Sequence, residues 1–150
     1  MFALGQDYPA AVQRLREQFQ PGGNRLQALY LLRLMEDTYT IAVISEVVDC
    51  YLSEGSRLEA FQTLCMLRHS DLEQHVPRAV WQLLDYEPRD GDYDELEYRY
   101  EWSASLLDDL GLTAALQELA QRALASTDPK SRSVGEWVRN ELLPKPRPGQ

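Results

Sequence analysis

Glycine is scarce in this chain, eight in 150 residues, and none stands in a GxGxxG, Walker-loop or GxSxG pattern. A phosphate-cradling loop and a nucleophile elbow are therefore missing. Only two histidines occur, His69 and His75, six residues apart and so on different helical faces, with no HExxH or ExxH companion. Metal ligation is not expected from them. The two cysteines, Cys50 and Cys65, have no CxxC spacing and both fall in apolar helical patterns, which predicts two buried thiols in a reducing compartment. Nowhere do about 18 apolar residues run together, and the opening "MFALGQDYPAAVQRL" lacks a basic stretch followed by a long apolar one. The expectation is a cytoplasmic protein that neither spans a membrane nor carries a secretion signal. Thirteen arginines are scattered without a run, so a basic groove for nucleic acid is not expected either. Strand-like alternation and Asn-Gly hairpin signals are missing as well.

What is present is globular: 44% apolar and 26% charged residues, in a length that fits one domain of ordinary size, residues 1–150, closing in the proline-rich tail "PKPRPGQ" from Pro144. The formal charge of -9 is unevenly placed. Residues 85 to 109 hold ten acids against Arg89 and Arg99, which leaves 14 acids and 13 bases over the other 125 residues. Such a local field repels phosphates and anionic lipid and speeds encounter with a basic partner.

Helical periodicity runs nearly throughout and divides into eight segments. Asp7 is placed to cap the first, with Pro9 in its opening turn, Ala11, Val12, Leu15 and Phe19 on one face and "PGG" as its stop. Asn24 caps a second, where Leu26, Leu29, Tyr30, Leu32, Leu34 and Met35 run around most of the helix and predict cover on more than one side. A third starts near Thr40 and carries Ile41, Ile44, Val48 and Leu52 to Gly55. Ser56 and Glu59 form a capping-box pattern for a fourth, through Phe61, Leu64 and Cys65. Ser70 and Asp71 are placed to cap a fifth, which Pro77 must kink or start. "YEPRDGD" is a loop before a sixth helix that reaches Leu110 and stops at Gly111. Thr113 caps a seventh (Leu116, Leu119, Ala120, Ala123), and "STDPKS" an eighth with Val134, Trp137, Val138 and Leu142 inward.

The chain is thus all-α, with the helices in antiparallel pairs that form either a stacked α-solenoid or an irregular helical bundle. The segments "LCMLRHSDLEQHVPRAVWQLL" and "LASTDPKSRSVGEWVRNELL" share an apolar run, a Ser/Thr-Asp cap and an Arg near a valine-bearing helix, and "LLRLMEDTYTIAVISEVV" repeats this more loosely. The pattern resembles the HEAT family of helical repeats. That resemblance implies a solenoid and an adaptor or scaffold role.

The segment "YDELEYRYEW", Tyr93 to Trp102, packs four carboxylates, three tyrosines, a tryptophan and one arginine into ten residues. At 100° per residue, Tyr93, Leu96, Tyr100, Ser103, Leu107 and Leu110 form one seam and Asp94, Glu97, Glu101 and Asp108 a stripe beside it. Tyr98, Trp102 and Leu106 form a second apolar strip, roughly opposite the first. In one reading the tryptophan and tyrosine are inter-repeat core and the carboxylates only keep the helix wet. Against that, Glu97 and Glu101 repel at i, i+4 by a few tenths of a kcal/mol, an arrangement stability alone does not select. A carboxylate row beside aromatic rings suits an Arg- or Lys-rich protein. The candidate partner-binding set is Asp90, Asp92, Asp94, Glu97, Tyr98, Glu101 and Trp102. Small size and a local acidic patch are similar to those of bacterial immunity proteins, which implies a cognate toxin with a basic cleft. The reading from another class, Glu97 and Glu101 as an acid and base pair of an enzyme, rests on a spacing common on solvent-facing helices. A non-enzymatic binding domain without cofactor or metal is the expectation.

Overall fold

A computed structural model describes residues 7–88 and 93–144. Among them the chain is all-helical, with nine α-helices and no strand. It divides into two compact units, Met1–Val80 and Trp81–Gln150. Asp90, Asp92 and most of the "PKPRPGQ" tail lie outside the described residues.

In the first unit, α1 (Tyr8–Phe19) has proline in its first turn and buries Ala11, Val12, Leu15 and Phe19, the face its spacing predicts. Asp7 does not cap it with its side chain. Its backbone is left-handed, φ 62°, and only its carbonyl accepts, from the Ala11 N–H at 2.9 Å; a capping side chain needs the extended conformation that lets its oxygen reach back. Asn24 does cap α2 (Arg25–Leu32), accepting from the Gln27 N–H at 3.1 Å. That helix buries only Ala28, Leu29 and Leu32 and leaves Leu26, Tyr30 and Leu31 exposed, so the expected cover on several sides is corrected to one.

The expected third helix is two, α3 (Asp37–Ala42) and α4 (Ile44–Leu52), broken at Val43. Val43 takes φ -114° and ψ 26°, and its N–H is shared between the Tyr39 and Thr40 carbonyls at 3.3 and 3.2 Å. The break sits in a β-branched stretch that gives up helix cheaply, and it sends the Val43 side chain fully into the core. Ser56 precedes α5 (Arg57–Leu64) but makes no capping box. Its hydroxyl donates instead to the Cys50 carbonyl at 2.9 Å, which at the end of α4 also accepts from the Ser53 N–H at 3.2 Å. Ser70 and Asp71 lie inside the first turn of α6 (His69–Leu84) and do not cap it, because the Arg68 carbonyl already accepts from the Leu72 N–H at 3.0 Å, and Pro77 neither starts nor ends this helix, which runs through it. Cys50 is buried, whereas Cys65, just past the last residue of α5, is exposed. Leu67 takes the inward place after the turn.

The second unit is built on α7 (Asp94–Asp109), α8 (Thr113–Leu124) and α9 (Pro129–Trp137), the last ending in a π-helical turn, Val138–Leu142. Helix α7 closes in a Schellman motif: the Leu112 N–H donates to the Leu107 carbonyl at 2.9 Å and the Gly111 N–H to that of Asp108 at 3.0 Å. Gly111 supplies the required positive φ of 70°. Thr113 is the first helical residue of α8 rather than its cap, which is Leu112. Leu116, Leu119, Ala120 and Ala123 are buried as spaced.

Asp128 caps α9 through both carboxylate oxygens, accepting from the N–H of Lys130 at 3.3 Å and of Ser131 at 3.0 Å, and from the Ser131 hydroxyl at 2.8 Å. Burial pulls its carboxyl upward, but these hydrogen bonds and the Lys130 charge prevail and hold it below the usual carboxylate range. Trp137, expected inward, is exposed. The buried face of α9 centres on Ser131, Val134, Gly135 and Val138, and Trp137 falls off its edge. Helices α8 and α9 meet at Gly135, where a Cβ would stand 2.8 Å from Leu124 Cγ and 2.9 Å from Leu124 N.

Candidate functional site

Helix α7 begins with three acids in its first turn, Asp94, Glu95 and Glu97, where the exposed N–H groups favour negative charge. Its buried residues are Leu96, Tyr100, Ser103, Ala104, Leu106 and Leu107. These occupy a single arc, so Leu106 joins the first seam instead of lying opposite it. Tyr93, expected in that seam, is exposed just ahead of the first helical residue. The Ser103 hydroxyl is buried without a hydrogen-bond partner, the cost of a small side chain in a tight seam.

The predicted site residues in the described chain come together on the remaining surface. Asp94 and Glu101 are exposed and Glu97 is half-buried, on one stripe with exposed Asp108. Beside it Tyr98 and Trp102 are both half-buried, their ring centroids 6.2 Å apart and the planes 57° inclined. This tilted geometry is favourable for an aromatic pair. Trp102 is thus neither fully enclosed core nor a freely projecting anchor.

The lone arginine of the segment does not neutralise the stripe. Arg99 donates to Glu95 Oε1 at 3.0 Å and to the Leu83 carbonyl at 2.8 Å, and its guanidinium lies 4.3 Å from the centroid of the Tyr86 ring. It ties α7 to the last turn of α6 and the chain just after it. A similar clamp holds Trp81, over which Arg122 stacks at 4.2 Å while pairing with Glu118 at 3.1 Å.

A base from elsewhere does reach the stripe. Lys130, in the first turn of α9, donates its ammonium to Asp94 Oδ1. Asp94 beside it, then Glu97 and Asp128, hold that ammonium above the usual lysine range. Sequence spacing does not reveal this contact, because 36 residues separate the pair and only the packing of α7 on α9 brings them together.

Comparison with protein-family models, curated proteins and solved structures finds no match to this chain.

The chemistry of the site is therefore read from its own groups. Among the described residues no three His, Cys, Asp or Glu side chains stand where they could share a metal ion. His69 pairs with Glu73 at 2.8 Å on an exposed turn of α6. No described helix is long and apolar enough to cross a membrane.

Proposed function

We propose that the chain is a non-enzymatic protein-binding domain whose α7 stripe receives Lys and Arg side chains of a basic protein. The observation that carries this is Lys130 on Asp94: the stripe already holds an ammonium, supplied from within the chain, in the field of Glu97. A partner presenting several bases repeats that contact at Glu97, Glu101 and Asp108. Its stems and rings find area on Tyr98 and Trp102. A cognate toxin with a basic cleft, the partner class of an immunity protein, meets this description, as does a basic client of an adaptor. Helices α4 and α5 pack as one pair and α8 and α9 as another, and a HEAT-like reading of such pairs suits the same role.

The test reverses charge without touching the buried arc. Glu97→Lys with Glu101→Lys exchanges one like-charged i, i+4 pair for another and touches no residue of the buried arc, so the fold should hold with the melting temperature changed only slightly. With wild type and variant as parallel baits, the retained proteins should be basic, and the double reversal should lose them. Association of the recovered partner should also slow as salt is added. Equal capture by both baits, or a partner whose association ignores salt, removes the stripe from the interface.

A further inference from the structure

Within the second unit, the end of α6, α7 and α8 border an open groove of about 380 Å3, a volume in the range of small-molecule sites. Trp81, Gln82 and Leu84 line it from α6, Asp85 from the residue just after, Tyr100 from α7 and Arg122 from α8. Tyr100 is only 8% exposed. A phenol so deeply buried normally finds a hydrogen-bond partner, yet among the described residues this hydroxyl has none. Only the Ser103 oxygen is there both unpartnered and sealed off, so the Tyr100 oxygen retains access, and the groove is where it opens. Burial pushes its pKa up and the Arg122 charge pulls it down, with burial prevailing. The hydroxyl is therefore a protonated donor at neutral pH. Arg122 stands near enough for its charge to act on this hydroxyl, but no hydrogen bond joins the two.

Arg122 is already held in place. It stacks 4.2 Å from the Trp81 ring centroid and uses one nitrogen on Glu118 at 3.1 Å, and its guanidinium makes no other hydrogen bond among the described residues. A planar fork fixed against a ring, with donors open along its edge, matches a carboxylate. Asp85 is exposed on the same groove and pairs with no base among the described residues. These groups narrow the ligand. A carboxylate between the Tyr100 hydroxyl and the Arg122 guanidinium satisfies both donors, but a plain anion also meets Asp85, Glu118 and a net charge of -9, which repel it. A carboxylate with an ammonium on the next carbon is neutral overall and answers Asp85 as well. Leu84 and the half-buried Trp81 offer apolar area to the rest of the molecule. We propose that the groove binds a free α-amino acid with an apolar side chain, its carboxylate on Arg122 and Tyr100 and its ammonium toward Asp85. None of these residues belongs to the α7 stripe, so this proposal and the protein-binding one stand or fall separately.

Titration of the full chain with L-leucine and L-phenylalanine, followed through the indole N–H signals of its three tryptophans, tests it. The Trp81 signal should move saturably while those of Trp102 and Trp137 stay. N-acetyl-L-phenylalanine keeps the carboxylate and loses the ammonium, and phenethylamine does the reverse; each should bind about tenfold more weakly than phenylalanine, or not at all. Tyr100→Phe removes a hydroxyl that bonds nothing in the free protein, so its melt should hold while affinity falls about fivefold or more. Arg122→Gln should abolish binding. Asp85→Asn, at an exposed position that leaves the fold alone, should bring phenylalanine down to the level of its acetylated form. A Trp81 signal indifferent to both amino acids, an acetylated or decarboxylated ligand bound as tightly as phenylalanine, or an affinity unmoved by Tyr100→Phe and Asp85→Asn overturns the proposal.

Discussion

Cys50 and Cys65 are one functional group in two environments. Burial, only partly offset by Arg25, pushes the Cys50 thiol up to about 11, whereas Cys65 is exposed at the end of α5. Since only the thiolate alkylates, native protein at mildly alkaline pH should lose one thiol quickly to iodoacetamide and the second only after denaturation. Two fast thiols would contradict the burial of Cys50, and none the exposure of Cys65. The sign of the pH effect follows: the protonated Cys50 contributes fully below the ordinary thiol value of about 8.5, and that contribution is lost as pH rises toward about 11. The sequence pattern alone places both thiols inside, because periodicity does not register where a helix stops. Cys65 continues the α5 spacing on paper, but Leu64 is the last helical residue.

Elements were legible where one face does all the burying. The four core residues of α1, the four of α8, the Asn24 and Asp128 caps and the Gly111 stop follow from spacing and cap chemistry. Legibility failed where a group had a competing partner out of sequence view: Ser56 took the Cys50 carbonyl instead of its own helix, and Val43 gave up helical geometry for the core. Gly135 belongs to the second kind, for nothing local explains glycine in a helix. Across from it lie Leu124 Cγ, Leu124 N and the Ala120 carbonyl, the last 3.1 Å from where a Cβ would stand. Gly135→Ala gains about 1 kcal/mol of helix propensity but forces α8 and α9 apart against a backbone atom, at about 1 to 3 kcal/mol. The variant should melt lower, by up to about 2 kcal/mol in unfolding free energy. An unchanged or higher melting temperature would mean that the Leu124 backbone yields at little cost.

Over the whole molecule, charge was the quantity the sequence declared most clearly. Part of the acidic excess of residues 85 to 109, Asp94, Glu97, Glu101 and Asp108, reappears as a stripe on α7. The exposed leucines of α2 were hidden, since a leucine-rich helix reads as buried and exposure depends on which neighbours the fold supplies. Lys130 on Asp94 was hidden for the same reason, and it gives the molecule a chemical reporter. The chain has only two lysines, Lys130 and Lys145. A pinned ammonium with raised proton affinity is a slow nucleophile, because acylation requires the neutral amine. In the free protein Lys130 should therefore react sluggishly with an N-hydroxysuccinimide ester, and Asp94→Asn should hasten it. If a basic partner takes over Asp94, the released amine should be acylated faster in the complex than alone, unless the partner itself shields it, in which case modification falls below that of the free chain. An acylation rate indifferent to Asp94→Asn would mean that the carboxylate does not govern this amine.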